Sequence, residues 1–420
     1  MKILYVSQYF PPEMGAPAAR VGELSRYWAE EGHDVTALTG FPNHPTGVVP
    51  PEYRIRFWRL VARENVGAVK VVRTWLLPFP NRKTYERMLN YSSFCLSAAA
   101  TGLFTGHPDF VIASSPQLLV GLSGWWLARC KRSRFIFEVR DLWPESLVAV
   151  GKGDATSPLY RALNRIASFL YRNSDHIVVV TPAFKEYLIQ HWQISPKKIS
   201  VVENGVDVDL FNPRADGNVR AELGAEGKFI VSYIGTMGNA HGLETLIDAA
   251  AKLKISQPQV LFLIVGEGAE KERLISLARS KGLTNLQFVD QKSREKIPAY
   301  ICASDACLVL LKKAAIFKTV IPSKMLEVMS CARPVILGVE GQAKKILEDA
   351  QAGVCIEPEN SSQLADAVSH LSGNLQLAKT LGRNGRRHIV QHFSRLQTSL
   401  DYTEVLNGLL GKEKRRAVAA

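Results

Sequence analysis

Short apolar runs alternate with longer amphipathic stretches along the whole chain, the rhythm of repeated strand–helix–strand units in a parallel sheet. The runs that predict strands in the first half are KILYVS (2–7), DVTALT (34–39), AVKVVRT (68–74), FVIAS (110–114), FIFEV (135–139) and HIVVVT (176–181). ISVVENGVD (199–207) follows, and then FNPRADGNVRAELGAEGK (211–228), whose Asn, Pro, Gly and charged residues mark a linker. The rhythm restarts with FIVSYIG (229–235), QVLFLIVG (259–266), LQFVD (286–290), ACLVLL (306–311), PVILG (334–338) and AGVCIEP (352–358). Two six-strand α/β series joined near 205–225 predict two Rossmann-like domains, 1–208 and 209–393. Residues 394–420 predict a closing helix, from about Ser394 to Leu410, that returns to the first domain and carries a basic tail.

At 420 residues the chain exceeds one ordinary core, in keeping with two domains. Its 46% hydrophobic and 22% charged residues are those of a globular protein. The excess of 52 basic over 39 acidic residues, +13, favours anionic company: nucleotides, nucleic acid or an acidic membrane surface. No nucleic-acid-binding module pattern is visible. The six cysteines (95, 130, 302, 307, 331, 355) form no CxxC pair, and Cys302 and Cys307 lie in an apolar, strand-like run, so buried free thiols in a reducing compartment are expected. Met1-Lys2 runs straight into a buried strand, with no signal-peptide pattern. The longest uncharged window, Met88 to Gly106, holds Asn90, Ser92, Ser93 and Ser97 and is expected to be a packed helix rather than a membrane span.

In such sheets ligands bind outside the carboxyl ends of the strands, so chemistry is sought in the loops that follow them. After the first strand, two prolines delay the helix and Gly15 precedes it. Amides at a helix start attract phosphate or an anionic transition state; an ordinary β–α turn is the alternative. The loop lacks GxGxxG, so no dinucleotide site follows. The second series opens with YIGTMGNAHGLETL, where Gly235, Gly238 and Gly242 let backbone approach a ligand and His241 could hydrogen-bond a phosphate. In IPSKMLEVMSCARPVIL (321–337), Ser323 and Lys324 stand at a helix mouth and Glu327 lies one turn on. The lysine and nearby amides could neutralise a diphosphate, and the glutamate could accept from a ribose diol. The alternative is a surface Lys324–Glu327 salt bridge of little value. Arg140 and Asp141 end a buried strand in FEVRDLWPESL, as a ligand site or as an ion pair holding the loop. The DVD at 207–209 imitates a metal motif but stands without other ligands nearby, and is read as a turn.

Taken together, the motifs are similar to a known family. GHDV, NGVDVDLFNP, GLETLIDAA, LIVGEG and PSKMLEVMSCARPVI resemble, in that order, the retaining glycosyltransferases of family 4, with the two-domain GT-B fold. MKILYVSQYFPPEMGAPAARVGELSRYW, TGFPNHPTG and VRDLWPESL resemble the branch of WbuB-type N-acetyl-L-fucosamine transferases of bacterial surface-polysaccharide synthesis. The resemblance implies two Rossmann-like domains facing a cleft, the first binding acceptor and the second a nucleotide sugar. It implies a UDP-linked donor, no metal or other cofactor, and a polyprenyl-diphosphate-linked glycan acceptor in O-antigen or capsule synthesis. It further implies residence on the inner face of the cytoplasmic membrane. Gly15, Gly235, Gly238, His241, Ser323, Lys324 and Glu327 become the expected nucleotide-sugar contacts, with Arg140, Asp141 and Lys324 as the expected catalytic set.

The sequence also departs from the family. Of the usual two glutamates eight positions apart, only Glu327 is present; Thr319 occupies the first place. The usual Arg and Lys after the first strand of the second domain are missing, and the usual His-Asp pair reads Arg140-Asp141. A sugar-nucleotide epimerase of the same fold and a catalytically silent partner subunit therefore stand as alternatives. Residues 51–87 interleave nine cations (54, 56, 59, 63, 70, 73, 82, 83, 87) with Phe57, Trp58, Trp75, Phe79 and Tyr85. GWWLARCKRSR (124–134) and KEKRR (412–416) add to this charge. Such a mixture suits an anionic lipid interface; a solvated basic face over core tryptophans is the alternative.

Overall fold

The computed structural model describes residues 1–44, 46–80, 83–146, 154, 156–215 and 217–418, with backbone alone from 412 onward. The chain forms two compact units, Met1–Asn204 with Arg395–Ala420, and Gly205–Ser394. The chain therefore crosses into the second unit four residues before the boundary read from the sequence, and its last helix, Arg395–Val418, belongs to the first unit.

In the first unit β1 (Lys2–Val6), β2 (Asp34–Gly40), β3 (Val61–Val66), β4 (Val69–Thr74), β5 (Phe110–Ser114), β6 (Arg134–Val139), β7 (His176–Val179) and β8 (Ile199–Val201) form one sheet. Its order is β3-β4-β2-β1-β5-β6-β7-β8. Every pairing is parallel except β3 with β4, a hairpin turned by Gly67 at φ 59°. The strand β3 was not anticipated, because VARENV is charged and mostly exposed where an edge strand meets water. A continuous apolar run, the signal used for the others, is absent there. The last helix closes this unit over helix Ala16–Glu30: Tyr402 meets Trp28 edge-on at 5.1 Å, and Arg395 Nε pairs with Glu23 Oε2 at 2.6 Å.

The second unit holds β9 (Phe229–Ile234), β10 (Val260–Val265), β11 (Leu286–Val289), β12 (Ala306–Leu310), β13 (Val335–Gly338) and β14 (Gly353–Cys355), in the order β11-β10-β9-β12-β13-β14. All pairings are parallel. Strand order reverses between β1 and β5 in one sheet and between β9 and β12 in the other, and such switch points open a crevice at the strands' carboxyl ends. The linker folds in part, as a short helix Val219–Glu222. Cys307 lies buried in β12, but Cys302 sits in helix Ile297–Ala303 and only partly buried, because Pro298 starts a helix in what reads as an apolar strand. All six cysteines are free, and Cys130 is exposed.

Candidate functional site

The second unit places its loops as the switch-point rule requires. Loops after β9 and β10 continue the ladder: Gly235 N donates to Val265 O at 2.9 Å and Met237 N to Glu267 O at 2.8 Å. A Cβ on Gly266 would stand 2.0 Å from Gly235 O, so that glycine serves loop-on-loop packing. Gly235 differs. At φ 146° it turns the chain beneath a cation, and a Cβ there would stand 2.9 Å from Lys324 Nζ.

Lys324 belongs to helix Ser323–Ser330, which follows β12 and starts cleanly because Pro322 fixes its entry. Met325, Leu326, Val328 and Met329 are buried beneath it, leaving Lys324 and Glu327 on a half-buried face. Lys324 Nζ donates to Tyr233 Oη at 2.7 Å and lies 4.1 Å from the ring centroid. Tyr233 Oη in turn donates to Thr236 O at 2.7 Å. Burial lowers the Lys324 pKa to about 7, with the Glu327 charge opposing the fall. Glu327 Oε1 pairs with Arg294 Nη1 at 3.1 Å, and the Arg294 guanidinium lies 4.9 Å from the Phe211 ring centroid. Glu327 and Lys324 thus have separate partners, in place of the surface bridge that their spacing allows.

The other residues expected here fall around this pair. Ser323 is the first residue of the helix. Gly238 leads, at an extended φ of −112°, into the turn Asn239–His241. His241 lies in that turn, three residues before the helix Glu244–Ser256. Its ring stands 5.8 Å from Tyr233, with Nδ1 3.4 Å from Leu310 O. Burial, helped by the Lys324 charge, lowers its pKa to about 3, so the imidazole is neutral. With Nδ1–H turned to a carbonyl, Nε2 presents a lone pair, and a hydrogen bond to phosphate there requires the other tautomer. Thr319, where the family has a glutamate, turns Oγ1 to Ile316 O at 2.6 Å and closes the turn Ala315–Thr319. Sequence reading missed Arg294; its only signal was a cation in the loop after β11.

In the first unit Gly15, at φ 122°, caps helix Ala16–Glu30 at the carboxyl side of β1, with Pro17 in its first turn. Arg140, at the end of β6, donates from Nη2 to Ala16 O at 2.9 Å and from Nη1 to Pro17 O at 3.2 Å. It therefore ties the β6 end to the Gly15 turn. Burial lowers its pKa to about 10 against the pull of Glu138. Asp141 has its carboxyl pushed up to about 6 by burial.

Behind Arg140 lies a buried network the sequence did not reveal. Glu138 pairs with Arg20 Nε at 3.0 Å and accepts from Tyr5 Oη at 2.7 Å and Ser114 Oγ at 2.5 Å. Burial alone would raise the Glu138 pKa; Arg20 and Arg140 reverse this and hold it low. Arg20 also donates to Val202 O, Glu203 O and Asn204 Oδ1, each at 3.0 Å. Glu13 is a second such residue: its Oε1 accepts from the amides of Asn43 and His44 at 2.9 and 3.0 Å, and burial raises its pKa to about 7. It shapes the loop containing TGFPNHPTG. Asp207 Oδ1 accepts from the Asp209 and Leu210 amides at 3.1 Å, a local turn, and among the described residues no three His, Cys, Asp or Glu come together as metal ligands.

The basic–aromatic segment is partly core and partly surface. Phe57 and Arg73 are buried, Arg73 pairing with Glu64 at 2.6 Å, and Trp75 and Phe79 are half-buried. Ile55 is 74% exposed and Trp58 78%, beside exposed Arg54, Arg56, Arg59 and Arg63. Tyr85, Lys83 and Trp126 are also exposed. Lys131, counted with the charged run, is instead buried, its Nζ donating to Leu103, Thr105 and Gly106 carbonyls. Arg82 and the side chains of 412–416 lie outside the described residues. No helix among the described residues is long and apolar enough to cross a membrane; 88–106 falls mainly in helix Thr84–Gly102.

Residues 15–205 match the glycosyl transferase 4-like domain, and 216–388 match the glycosyl transferases group 1 domain. A glycosyl transferase of Escherichia coli assigned to colanic acid biosynthesis, WcaI, is 27% identical over 382 residues, 88% of this chain and 91% of that protein. Sucrose-phosphate synthase from Thermosynechococcus elongatus superposes with a TM-score of 0.76 at 22% identity, covering 98% of this chain and 99% of that one. HepE of Anabaena, in complex with UDP-glucose, superposes with a TM-score of 0.71 at 18% identity, covering 97% and 100%. The chain is a GT-B glycosyltransferase of family 4.

Proposed function

We propose that this enzyme moves a sugar, with retention, from a UDP-sugar to a polyprenyl-diphosphate-linked glycan in O-antigen or capsule synthesis. N-acetyl-L-fucosamine or a related deoxy-amino sugar is the donor class that the WbuB-type resemblance suggests. The reading is carried by one observation: a half-buried lysine and a glutamate one turn on share a helix at the switch point of the second sheet. The naming of WcaI for colanic acid biosynthesis and the UDP-glucose complex of HepE support the substrate classes.

In this reading the leaving diphosphate develops negative charge against Lys324 and the amides around Gly235 and Gly238. Stabilising that charge supplies most of the rate acceleration in such a reaction. Glu327, steadied by Arg294, accepts from the ribose diol. Ser323 and His241 complete the nucleotide-sugar contacts. In the first domain Arg140 fixes the Gly15 turn, and Asp141 holds acceptor or donor sugar. The leaving phosphate serves as the base towards the acceptor. The exposed Ile55 and Trp58 with their arginines rest on anionic lipid at the inner face of the cytoplasmic membrane, where the acceptor resides.

Incubating the enzyme with a panel of UDP-sugars and a polyprenyl-diphosphate-linked sugar tests this. Transfer with the donor's anomeric configuration kept is the expected product. Thr319 favours one rival, a silent partner subunit, and that rival predicts no transfer with any nucleotide sugar. Free UDP-sugar epimerised without acceptor would instead identify an epimerase.

A further inference from the structure

The second domain has a cavity of about 500 Å³ at the end of its sheet away from Lys324. Phe229 opens β9, Asp305 precedes β12, and Arg333 and Pro334 precede β13, so these lining residues lie at amino ends of parallel strands. The other wall is helix Leu375–His392, which contributes Leu375, Lys379 and Arg383. That volume lies in the range of small-molecule sites.

The charge of the lining is one-sided. Arg333, Lys379 and Arg383 bring three cations, and the one acid, Asp305, is already occupied. Its Oδ2 accepts from Arg220 Nη2 and from the Ile230 amide, both at 2.7 Å. Arg333 is anchored by donating Nη2 to Cys302 O at 2.6 Å. Lys379 and Arg383 lie one turn apart on the exposed side of their helix, and neither is engaged by another described residue. Cations four residues apart that repel each other by a few tenths of a kcal/mol are placed at a cost that an anion between them removes. Arginine forks match phosphate oxygens in pairs, and Phe229, Pro334 and Leu375 offer an apolar side to whatever carries the phosphate.

We propose that this cavity is a second anion site, for a phosphate or diphosphate ester with a compact organic body, separate from the donor site at the other end of the same sheet. The ester's source is either a free phosphorylated metabolite or the headgroup of a phospholipid. A ligand here touches the amino ends of β9, β12 and β13 and leaves the Lys324 loops open, so it does not compete with the donor.

The test is calorimetric titration of the full-length enzyme with inorganic pyrophosphate and with glucose 1-phosphate, and sedimentation with phosphatidylglycerol vesicles. Three proteins are compared: the wild type, Lys379→Ala/Arg383→Ala, and Lys324→Ala. Both cations of the double variant are exposed, so folding is retained, and circular dichroism checks this. Either soluble ester binding below about 1 mM, weakened at least tenfold in the double variant and retained in Lys324→Ala, establishes the site and a metabolite source. Vesicle binding with the same pattern, and no soluble ligand bound, establishes it with a lipid source. Soluble-ester binding that the double variant leaves unchanged, or no soluble-ester binding together with vesicle binding that the double variant leaves unchanged or no vesicle binding, overturns the proposal.

Discussion

Lys324 Nζ donates to Tyr233 Oη at 2.7 Å while lying 4.1 Å from the centroid of the same ring. Among the described residues its remaining N–H groups meet no acceptor, and burial depresses its pKa. A desolvated ammonium with donors to spare destabilises the empty protein and is suited to receive an anion. Lys324→Met is therefore expected to raise stability by about 1–3 kcal/mol while weakening UDP binding at least tenfold. Tyr233→Phe, which keeps the ring but removes the lysine's one acceptor and the bond to Thr236 O, is expected instead to lower stability. Thermal melts and calorimetry read the two opposing signs.

The same lysine makes nucleotide binding pH-dependent. Its pKa of about 7 in the free enzyme rises when a diphosphate sits beside it. Below pH 7 the lysine is charged with and without ligand, and it contributes no slope to the affinity. Above pH 7 binding takes up a proton, and affinity falls by up to roughly tenfold per pH unit until the bound-state pKa is reached. Titrations in buffers of different ionisation enthalpy should show this uptake at pH 8, and Lys324→Met should abolish it.

Glu13 predicts a stability effect in the first domain. Its pKa is raised from 4.5 to about 7, so between those values the folded state binds more protons than the unfolded one. Its stabilising contribution is full below pH 4.5 and is lost as pH rises through 7. Glu13→Gln keeps an oxygen for the Asn43 and His44 amides without the charge. It is expected to be more stable than wild type at pH 8, by about 1–3 kcal/mol, with little difference at pH 5. Denaturant midpoints at the two pH values check this.

Glu138 and Arg20 are both fully buried, and each satisfies the other. Glu138→Ala leaves Arg20 and Arg140 without their counter-charge, and is expected to cost about 3–5 kcal/mol. Arg20→Met alone should cost a similar amount, and the double variant Arg20→Met/Glu138→Leu less than the sum of the two. Urea denaturation of the three variants measures the coupling.

The parallel sheets were legible because each buried strand is a run such as VLFLIV or FVIAS, which only a doubly covered sheet accommodates. Edge strand β3 was not, since one face and one edge meet water and VARENV carries no apolar signal. Lys324 and Glu327 could be singled out because two charges break an otherwise buried helix. Their partners could not: Tyr233 lies 91 residues from Lys324 in sequence and Arg294 lies 33 from Glu327, and local pattern carries no information about such pairs. Arg140 shows the same limit. Its place at a strand's carboxyl end was readable, but its bonds to the carbonyls of Ala16 and Pro17, 124 and 123 residues away, exist only in the fold.

The most direct test of the account is calorimetric titration of UDP into the wild type and into Glu327→Ala, with circular dichroism to verify that the variant is folded. Micromolar binding by the wild type, weakened at least tenfold in Glu327→Ala, is the predicted result, placing the ribose at the helix Ser323–Ser330. Equal binding by the two proteins, or none by the wild type, would contradict it.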